Sequence, residues 1–152
     1  MAIGRLAHFS VRTTTLDASR DFYCKVLGFR EGFRPNFPFP GLWLYQGGDE
    51  ADFGVVHLIG IDRNDPNGLK NYLGDKPEES LHGSAALDHL AFLATDLAGM
   101  RARIAGAGLP YRERTVPDLG LHQVFVEDPS GVTIELNFPA AEAQALAATA
   151  AA

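Results

Sequence analysis

Two halves of the sequence resemble one another, and this internal repeat constrains the fold more than any other feature. Residues 6–9 align with residues 87–90, and the match continues through the helix that follows in each half. Near the end of each half, residues 56–58 align with residues 134–136 at a slightly smaller offset. Only two copies are present and each is longer than a usual solenoid repeat, which predicts a pair of duplicated supersecondary modules.

The first half predicts the element order β-α-β-β-β. Side chains alternate along residues 6–12 with the period of a half-buried strand, so His8 and Arg12 share one face. Three threonines follow and can cap a helix predicted over residues 16–27. The later strands of this half are predicted at residues 29–33, 42–46 and 53–59.

The second half predicts the same order again. A strand over residues 86–95 precedes a helix over residues 96–107, and Asp-Pro-Ser-Gly at residues 128–131 predicts a hairpin turn. The remaining strands are predicted at residues 111–115, 122–126 and 132–137. We expect one structural domain with four parts, namely a first module (1–61), a connecting segment (62–85), a second module (86–138) and an Ala-rich tail or short helix (139–152).

Composition and charge exclude several classes of function. The chain has 152 residues, 46% hydrophobic and 21% charged, which is ordinary for a globular protein with a real core. The net charge of −6 and the scattered Lys and Arg residues argue against nucleic-acid binding. The sequence predicts neither a secretory leader nor a membrane span. The single cysteine, Cys24, agrees with a reducing compartment, so we expect a cytoplasmic protein without membrane or nucleic-acid partners.

Four ionisable residues occupy matching positions of the two halves, inside apolar, strand-like runs. They are His8 and His57 in the first half, and His89 and Glu135 in the second. Burying such groups is costly unless they are hydrogen-bonded or bind a metal. Imidazoles and a carboxylate on separate strands can converge on one divalent ion and leave coordination positions open for a substrate. The alternative is that each histidine is a hydrogen-bonded core residue.

The donor set narrows the choice of metal. His8, His89 and Glu135 form the two-His-one-carboxylate set that is typical of non-haem Fe(II). An added imidazole from His57 also suits Zn, Ni, Co or Mn. We favour iron on this basis.

Three motifs connect these residues to a known family. They are His8 followed by F-Y-x-x-V-L-G-F at residues 22–29, the second-module His89, and F-V-x-D-P-x-G-x-x-I-E at residues 125–135. With these motifs the chain resembles the vicinal oxygen chelate superfamily, which includes glyoxalase I, extradiol dioxygenases, methylmalonyl-CoA epimerase and the fosfomycin and bleomycin resistance proteins. The resemblance implies an α+β fold in which two βαβββ modules form an open, cup-like mixed sheet around a metal site. It also implies a homodimer, a small-molecule substrate, and the metal ligands His8, His57, His89 and Glu135.

His57 departs from the patterns within this superfamily. Glyoxalase I usually has a glutamate at this position and the epimerases have a glutamine, whereas the extradiol dioxygenases need no first-module ligand there. If His57 is a ligand, Glu135 is the one carboxylate among the ligands that can act as a base. If His57 is not a ligand, it is a candidate catalytic acid or base near the substrate.

Four further residues are candidates for substrate contact. By resemblance to glyoxalase I, where an arginine in this place helps to hold glutathione, Arg12 binds a substrate anion; the alternative is a structural salt bridge. His122 lies near the Asp-Pro turn and is a candidate acid or base, or else a solvent-facing strand residue. Trp43 and Tyr45 share one strand face and line either the substrate site or the core.

Three functions follow from the resemblance. The first and favoured one is a single-domain extradiol-type dioxygenase that chelates a vicinal-oxygen substrate on a divalent metal. The second is a glyoxalase-like lyase or isomerase that acts through a metal-stabilised enediolate. The third is a non-catalytic drug-binding resistance protein, which needs no metal.

Overall fold

Each half of the chain forms a compact unit with its own four-stranded mixed sheet. The protein was analysed as a computed structural model that describes residues 6, 8–47, 54–74, 76–84 and 87–150. The two units are Met1–His82 and Gly83–Ala152. No helix among the described residues is long and apolar enough to cross a bilayer.

The sheet of the first unit has the strand order β1-β4-β3-β2. Its strands are β1 (Phe9–Thr13), β2 (Arg30–Gly32), β3 (Gly41–Tyr45) and β4 (Val56–Gly60). Strands β1 and β4 are parallel, whereas the other two pairings are antiparallel. The helices are α1 (Leu16–Asp21), which continues into a π-helical turn (Phe22–Val26), then α2 (Pro66–Leu73) and a 3-10 turn (Glu78–Leu81).

The alternation of side chains in the first sheet separates a core face from a polar face. Val11 of β1 and Leu58 of β4 are register partners and are buried, as is Leu44 of β3. Tyr23, from the π-helical turn, has no exposed surface and completes this core. The opposite face of β4 therefore carries His57, which the register pairs with residues of both neighbouring strands.

The second unit repeats this topology with the strand order β5-β8-β7-β6. Its strands are β5 (Leu90–Leu93), β6 (Tyr111–Val116), β7 (Leu121–Glu127) and β8 (Thr133–Pro139). Strands β5 and β8 are parallel and the remaining pairs are antiparallel. The helices are α3 (Leu97–Gly106), a 3-10 turn (Pro117–Leu119) and α4 (Ala140–Ala150).

The turn between β7 and β8 is held by one carboxylate. The side chain of Asp128 accepts hydrogen bonds from the backbone N–H groups of Ser130 and Val132, each at 2.8 Å. The backbone N–H of Gly131 donates to the Asp128 carbonyl at 2.9 Å, and the φ of +76° at this residue favours glycine. The hairpin turn predicted at residues 128–131 is therefore confirmed. It sets the register that brings Phe125 opposite Glu135.

The predicted β-α-β-β-β order is present in both units, and the differences lie at the element ends and in the connecting segment. The first strand begins at Phe9, so His8 stands immediately before it. The helix predicted over residues 16–27 changes to π-helical geometry after Asp21. The connecting segment contains α2, whose first turn is capped by the Asp65 side chain, which accepts from the backbone N–H of Gly68. The C-terminal tail is a helix, and the predicted positions 53 and 86 lie outside the described residues.

Candidate functional site

The polar face of the first sheet carries three stacked rings with His57 in the middle. The ring centroids of His8 and His57 are 3.8 Å apart with planes at 16°. On the other side, the Trp43 ring lies 4.0 Å from that of His57 with planes at 4°. The register explains this arrangement, because Trp43 is the β3 partner of His57, and Ser10, two residues after His8, is its β1 partner.

The surroundings of His57 keep its imidazole neutral. The residue is 8% exposed, and among the described residues nothing hydrogen-bonds to its buried Nε2 atom. Burial lowers the pKa of His57 from 6.5 to about 4, and the neighbouring His8 contributes in the same direction. The neutral imidazole that results at physiological pH is the form that binds metal ions.

Arg12 and Tyr45, predicted to contact substrate, have protein partners in the first unit. The guanidinium of Arg12 donates to the hydroxyl of Ser80 at 2.7 Å and to its carbonyl at 3.3 Å, and it lines a cavity of about 500 Å³. The Tyr45 side chain is 3% exposed, and its hydroxyl donates to the Phe33 carbonyl at 2.7 Å. Arg12 is thus placed at a cavity, whereas Tyr45 is a buried structural residue.

The second sheet brings an imidazole and a carboxylate together. Nε2 of His89, just before β5, lies 3.0 Å from Oε2 of Glu135 on β8. The His89 side chain is 37% exposed and that of Glu135 is 7% exposed, so the pair lies at the boundary between core and surface. Nδ1 of His89 is 2.7 Å from a carboxylate oxygen of Asp88. A carboxylate on the far ring nitrogen holds an imidazole in one orientation.

Two amide side chains hold the other oxygen of Glu135. Nε2 of Gln123 donates to Oε1 of Glu135 at 2.8 Å, and Nδ2 of Asn137 donates to the same oxygen at 2.7 Å. Gln123 also donates to Oδ1 of Asn137 at 3.0 Å. A carboxylate that accepts these hydrogen bonds is held in one orientation.

His122 lies on the face of β7 that is opposite to Gln123 and Phe125, the register partners of Asn137 and Glu135. It is 6% exposed, and its two ring nitrogens contact the Thr115 hydroxyl at 2.9 Å and a Glu113 oxygen at 3.1 Å. The predicted role of His122 as a catalytic acid or base is therefore not retained, because its partners and its face tie it to the structural side of the sheet.

The donor groups fit a divalent metal in part. Two ligand atoms on one ion, each about 2.0–2.2 Å from it, lie roughly 3 Å apart, as Nε2 of His89 and Oε2 of Glu135 do. The stacked rings of His8 and His57 do not converge on one point, because lone pairs in nearly parallel ring planes cannot meet. Within the part of the chain that the structure describes, no group of three or more His, Cys, Asp or Glu side chains clusters as a ligand set.

Sequence reasoning named Trp43 but not its stacking on His57, and it missed the amide side chains of Gln123 and Asn137. Glu135 and Asn137 share a strand parity, as do Gln123 and Phe125, and this alternation is visible in the sequence. Which residue of β7 faces which residue of β8 depends on the register, and the sequence alone did not supply it.

Comparison with known proteins identifies the family. The family model of the Glyoxalase/Bleomycin resistance protein/Dioxygenase superfamily matches residues 5–136. The chain belongs to this superfamily. It is also similar to a protein named Glyoxylase I 4 from Arabidopsis thaliana, at 29% identity over 134 residues that make up 86% of this chain and 68% of that protein.

Solved structures of low sequence identity share the fold. A glyoxylase/bleomycin resistance protein/dioxygenase domain from Frankia aligns with a TM-score of 0.63 at 19% identity, covering 91% of this chain and 93% of that one. A lactoylglutathione lyase from Agrobacterium tumefaciens gives 0.58 at 18% identity, with 91% and 96% covered. An antibiotic binding protein from Streptomyces gives 0.58 at 22% identity, with 91% and 98% covered. Proteins named as enzymes and as binding proteins thus share this fold.

Proposed function

We propose that this protein is a divalent-metal-dependent lyase or isomerase of the glyoxalase type, acting on a small substrate that carries two vicinal oxygens. The observation that carries the proposal is the buried carboxylate of Glu135, which two amides hold on one oxygen while His89 stands at the other. A carboxylate held in this way is suited to take a proton from carbon and return it.

The same site gives less support to the dioxygenase that the sequence favoured. An extradiol-type dioxygenase would use a side chain that exchanges protons with a bound catechol. Phe125 stands where the extradiol pattern has a tyrosine, and a phenyl ring cannot exchange a proton. His122, the other candidate, is held by Glu113 and Thr115 on the opposite face of β7. The lyase or isomerase needs only the carboxylate that is present.

The proposed roles of the residues follow from their contacts. Oε2 of Glu135, at a stage when it is not a metal ligand, would take the proton from the carbon next to the substrate carbonyl and deliver it to the neighbouring carbon. Gln123 and Asn137 hold Oε1, so that the reacting oxygen keeps its direction through the transfer. Asp88 orients the His89 ring through Nδ1.

A divalent metal completes the proposal. His89 and Glu135 of the second unit would hold it. The bound ion would supply Lewis-acid polarisation of the substrate oxygens, which makes the neighbouring carbon more acidic.

The test combines metal analysis with two activity screens. Protein purified from its own cells should contain zinc, nickel or another divalent metal and should isomerise a hemithioacetal or a related α-hydroxycarbonyl compound without consuming oxygen. Glu135→Gln should lower kcat about 10²-fold or more, because it removes the proton-accepting oxygen.

Glu113→Gln is the matched control, since it changes a carboxylate on the opposite face of the same sheet and should leave kcat near that of the unmodified protein. Iron together with oxygen uptake on catechols would overturn the proposal in favour of the dioxygenase. Tight drug binding without metal or turnover would indicate a binding protein.

A further inference from the structure

Two arginines of β6 flank the aromatic ring next to the Glu135 site. The guanidinium carbon of Arg112 lies 4.2 Å from the centroid of the Phe125 ring, and that of Arg114 lies 5.2 Å from it. The edge of the same ring meets His89, with centroids 6.2 Å apart and planes at 88°. Phe125 is 5% exposed, whereas both arginines are exposed, so the guanidinium groups form the outer layer of this arrangement.

Neither arginine is neutralised within the part of the chain that the structure describes. Glu113 lies between them in sequence, but it points to the opposite face and forms a two-point ion pair with Arg101, at 3.0 and 3.1 Å. No carboxylate reaches ion-pair distance of Arg112 or Arg114 among the described residues. In a protein with a net charge of −6, two adjacent cations without an acidic partner are unusual and attract anions locally.

A cavity opens beside Arg112. Its volume is about 450 Å³, and its lining includes Arg112, Phe125 and Thr133. Thr133 precedes Glu135 by two residues on β8, so the two side chains share one face of the strand. Glu127 also lines the cavity but forms no ion pair with either arginine. A small molecule in this cavity would contact the Arg112 guanidinium and the Phe125 ring, whose edge meets His89.

Arg114 is also linked to Glu135 through Gln123. Nε of Arg114 donates to Oε1 of Gln123 at 2.7 Å, and the amide nitrogen of the same side chain donates to Glu135. This contact determines the orientation of the amide, because only the carbonyl oxygen can accept from a guanidinium. Arg114 is thus tied to the proposed catalytic carboxylate, and Arg112 has the ring of Phe125 as its neighbour.

We propose that Arg112 and Arg114 bind an anionic group of the substrate, so that the molecule processed at Glu135 is a carboxylate or a related oxyanion. The statement that this molecule is the substrate of Glu135 rests on the proposed function. The binding of an anion by the two arginines does not depend on it. Guanidinium groups suit it because their paired N–H donors match the two oxygens of a carboxylate, and the Phe125 ring holds Arg112 in place.

The experiment compares benzoate with benzamide, which have nearly the same shape and differ in charge. Binding to the metal-free protein is followed by NMR at the Nε–H signals of the arginine side chains. We expect benzoate to shift the signals of Arg112 and Arg114 and benzamide to leave them in place. Arg112→Gln should weaken benzoate binding by about tenfold or more, as expected for the loss of one charged hydrogen-bonding group.

The control is Arg103→Gln, which removes an exposed arginine of α3 and should leave benzoate binding unchanged. Inorganic phosphate serves as a second probe, and a stronger effect than that of benzoate would point to a phosphate-bearing substrate. Equal binding of benzamide, undiminished binding by Arg112→Gln, or shifts spread over all arginines would overturn the proposal. The NMR measurement needs neither metal nor turnover. Benzoate binding can therefore be judged even if the protein does not catalyse the proposed reaction.

Discussion

His57 in the first unit and Glu135 in the second lie on equivalent last strands of two sheets with the same order and the same strand pairings. Their surroundings are opposite. The His57 ring is enclosed by two other rings, and among the described residues its Nε2 has no hydrogen-bond partner. The Glu135 carboxylate is held by two amides and faces an imidazole.

This difference shows how one scaffold position can be set to different charge states. Stacked rings exclude water and offer no hydrogen bonds, so they favour the neutral form of whatever they enclose. Amide donors favour an anion. The first unit therefore presents a neutral imidazole and the second a carboxylate, and three experiments test whether the surroundings or the residues themselves determine this.

The largest effect is expected when the carboxylate is moved to the first unit. His57→Glu places a carboxylate between the rings of His8 and Trp43, where it finds no donors of the kind that hold Glu135. We expect it to lower the free energy of unfolding by about 2–4 kcal/mol, measured by urea denaturation at pH 7. His57→Gln is the neutral control and should cost about 1 kcal/mol, through lost ring stacking. Equal losses for the two variants would show that the first unit tolerates charge.

A somewhat smaller effect is expected when an amide is removed from the second unit. Gln123→Leu keeps the volume but takes away a hydrogen bond to Oε1 of Glu135. Metal affinity, measured by competition with a chelating dye, should fall about 10–100-fold, as for other groups that orient a ligand. Thr115→Val is the control, because Thr115 contacts His122 on the opposite face of the sheet. An unchanged affinity would mean that the amide does not orient the carboxylate.

The smallest effect is a difference in pH dependence. The pKa of His57 is about 4 in the folded protein and near 6.5 when exposed, so the unfolded chain binds more protons between these values. The resulting stabilisation is complete above pH 6.5 and is lost as the pH falls towards 4. Between pH 7 and pH 4.5 the protein should lose about 1–2 kcal/mol more than His57→Gln does, as measured by urea denaturation at each pH. Parallel curves for the two proteins would contradict the buried, neutral state of this ring.

The fold was accessible from sequence because its evidence is local and repeated. Period-2 alternation and the Asp-Pro-Ser-Gly turn predicted the strands and the hairpin, and the repeat predicted that both halves share one order. The connecting segment was harder, because α2 has only eight residues and they include Pro66, Gly68 and two asparagines, which have low helix propensity.

The candidate site was only partly accessible for a different reason. His89 and Glu135 were found from their place in apolar runs, and the structure brings them to 3.0 Å. The role of His122 stays a prediction, because one residue of register decides the face of a strand, and its partners Glu113 and Thr115 lie on the neighbouring strand β6. The neighbours that determine charge, such as Gln123 for Glu135 and Trp43 for His57, come from other strands and depend on that same register.

The parallel pairing of the first and last strands within each unit has a consequence for the order of folding. Phe9 pairs with Val56 and Leu90 pairs with Ile134, so each contact joins residues that are far apart in the sequence of a unit. Strand β1 has no neighbour in its sheet until β4 has been synthesised, and β5 likewise waits for β8. Because these late strands carry His57 and Glu135, a nascent chain gains its ionisable pairs only in the step that closes each sheet.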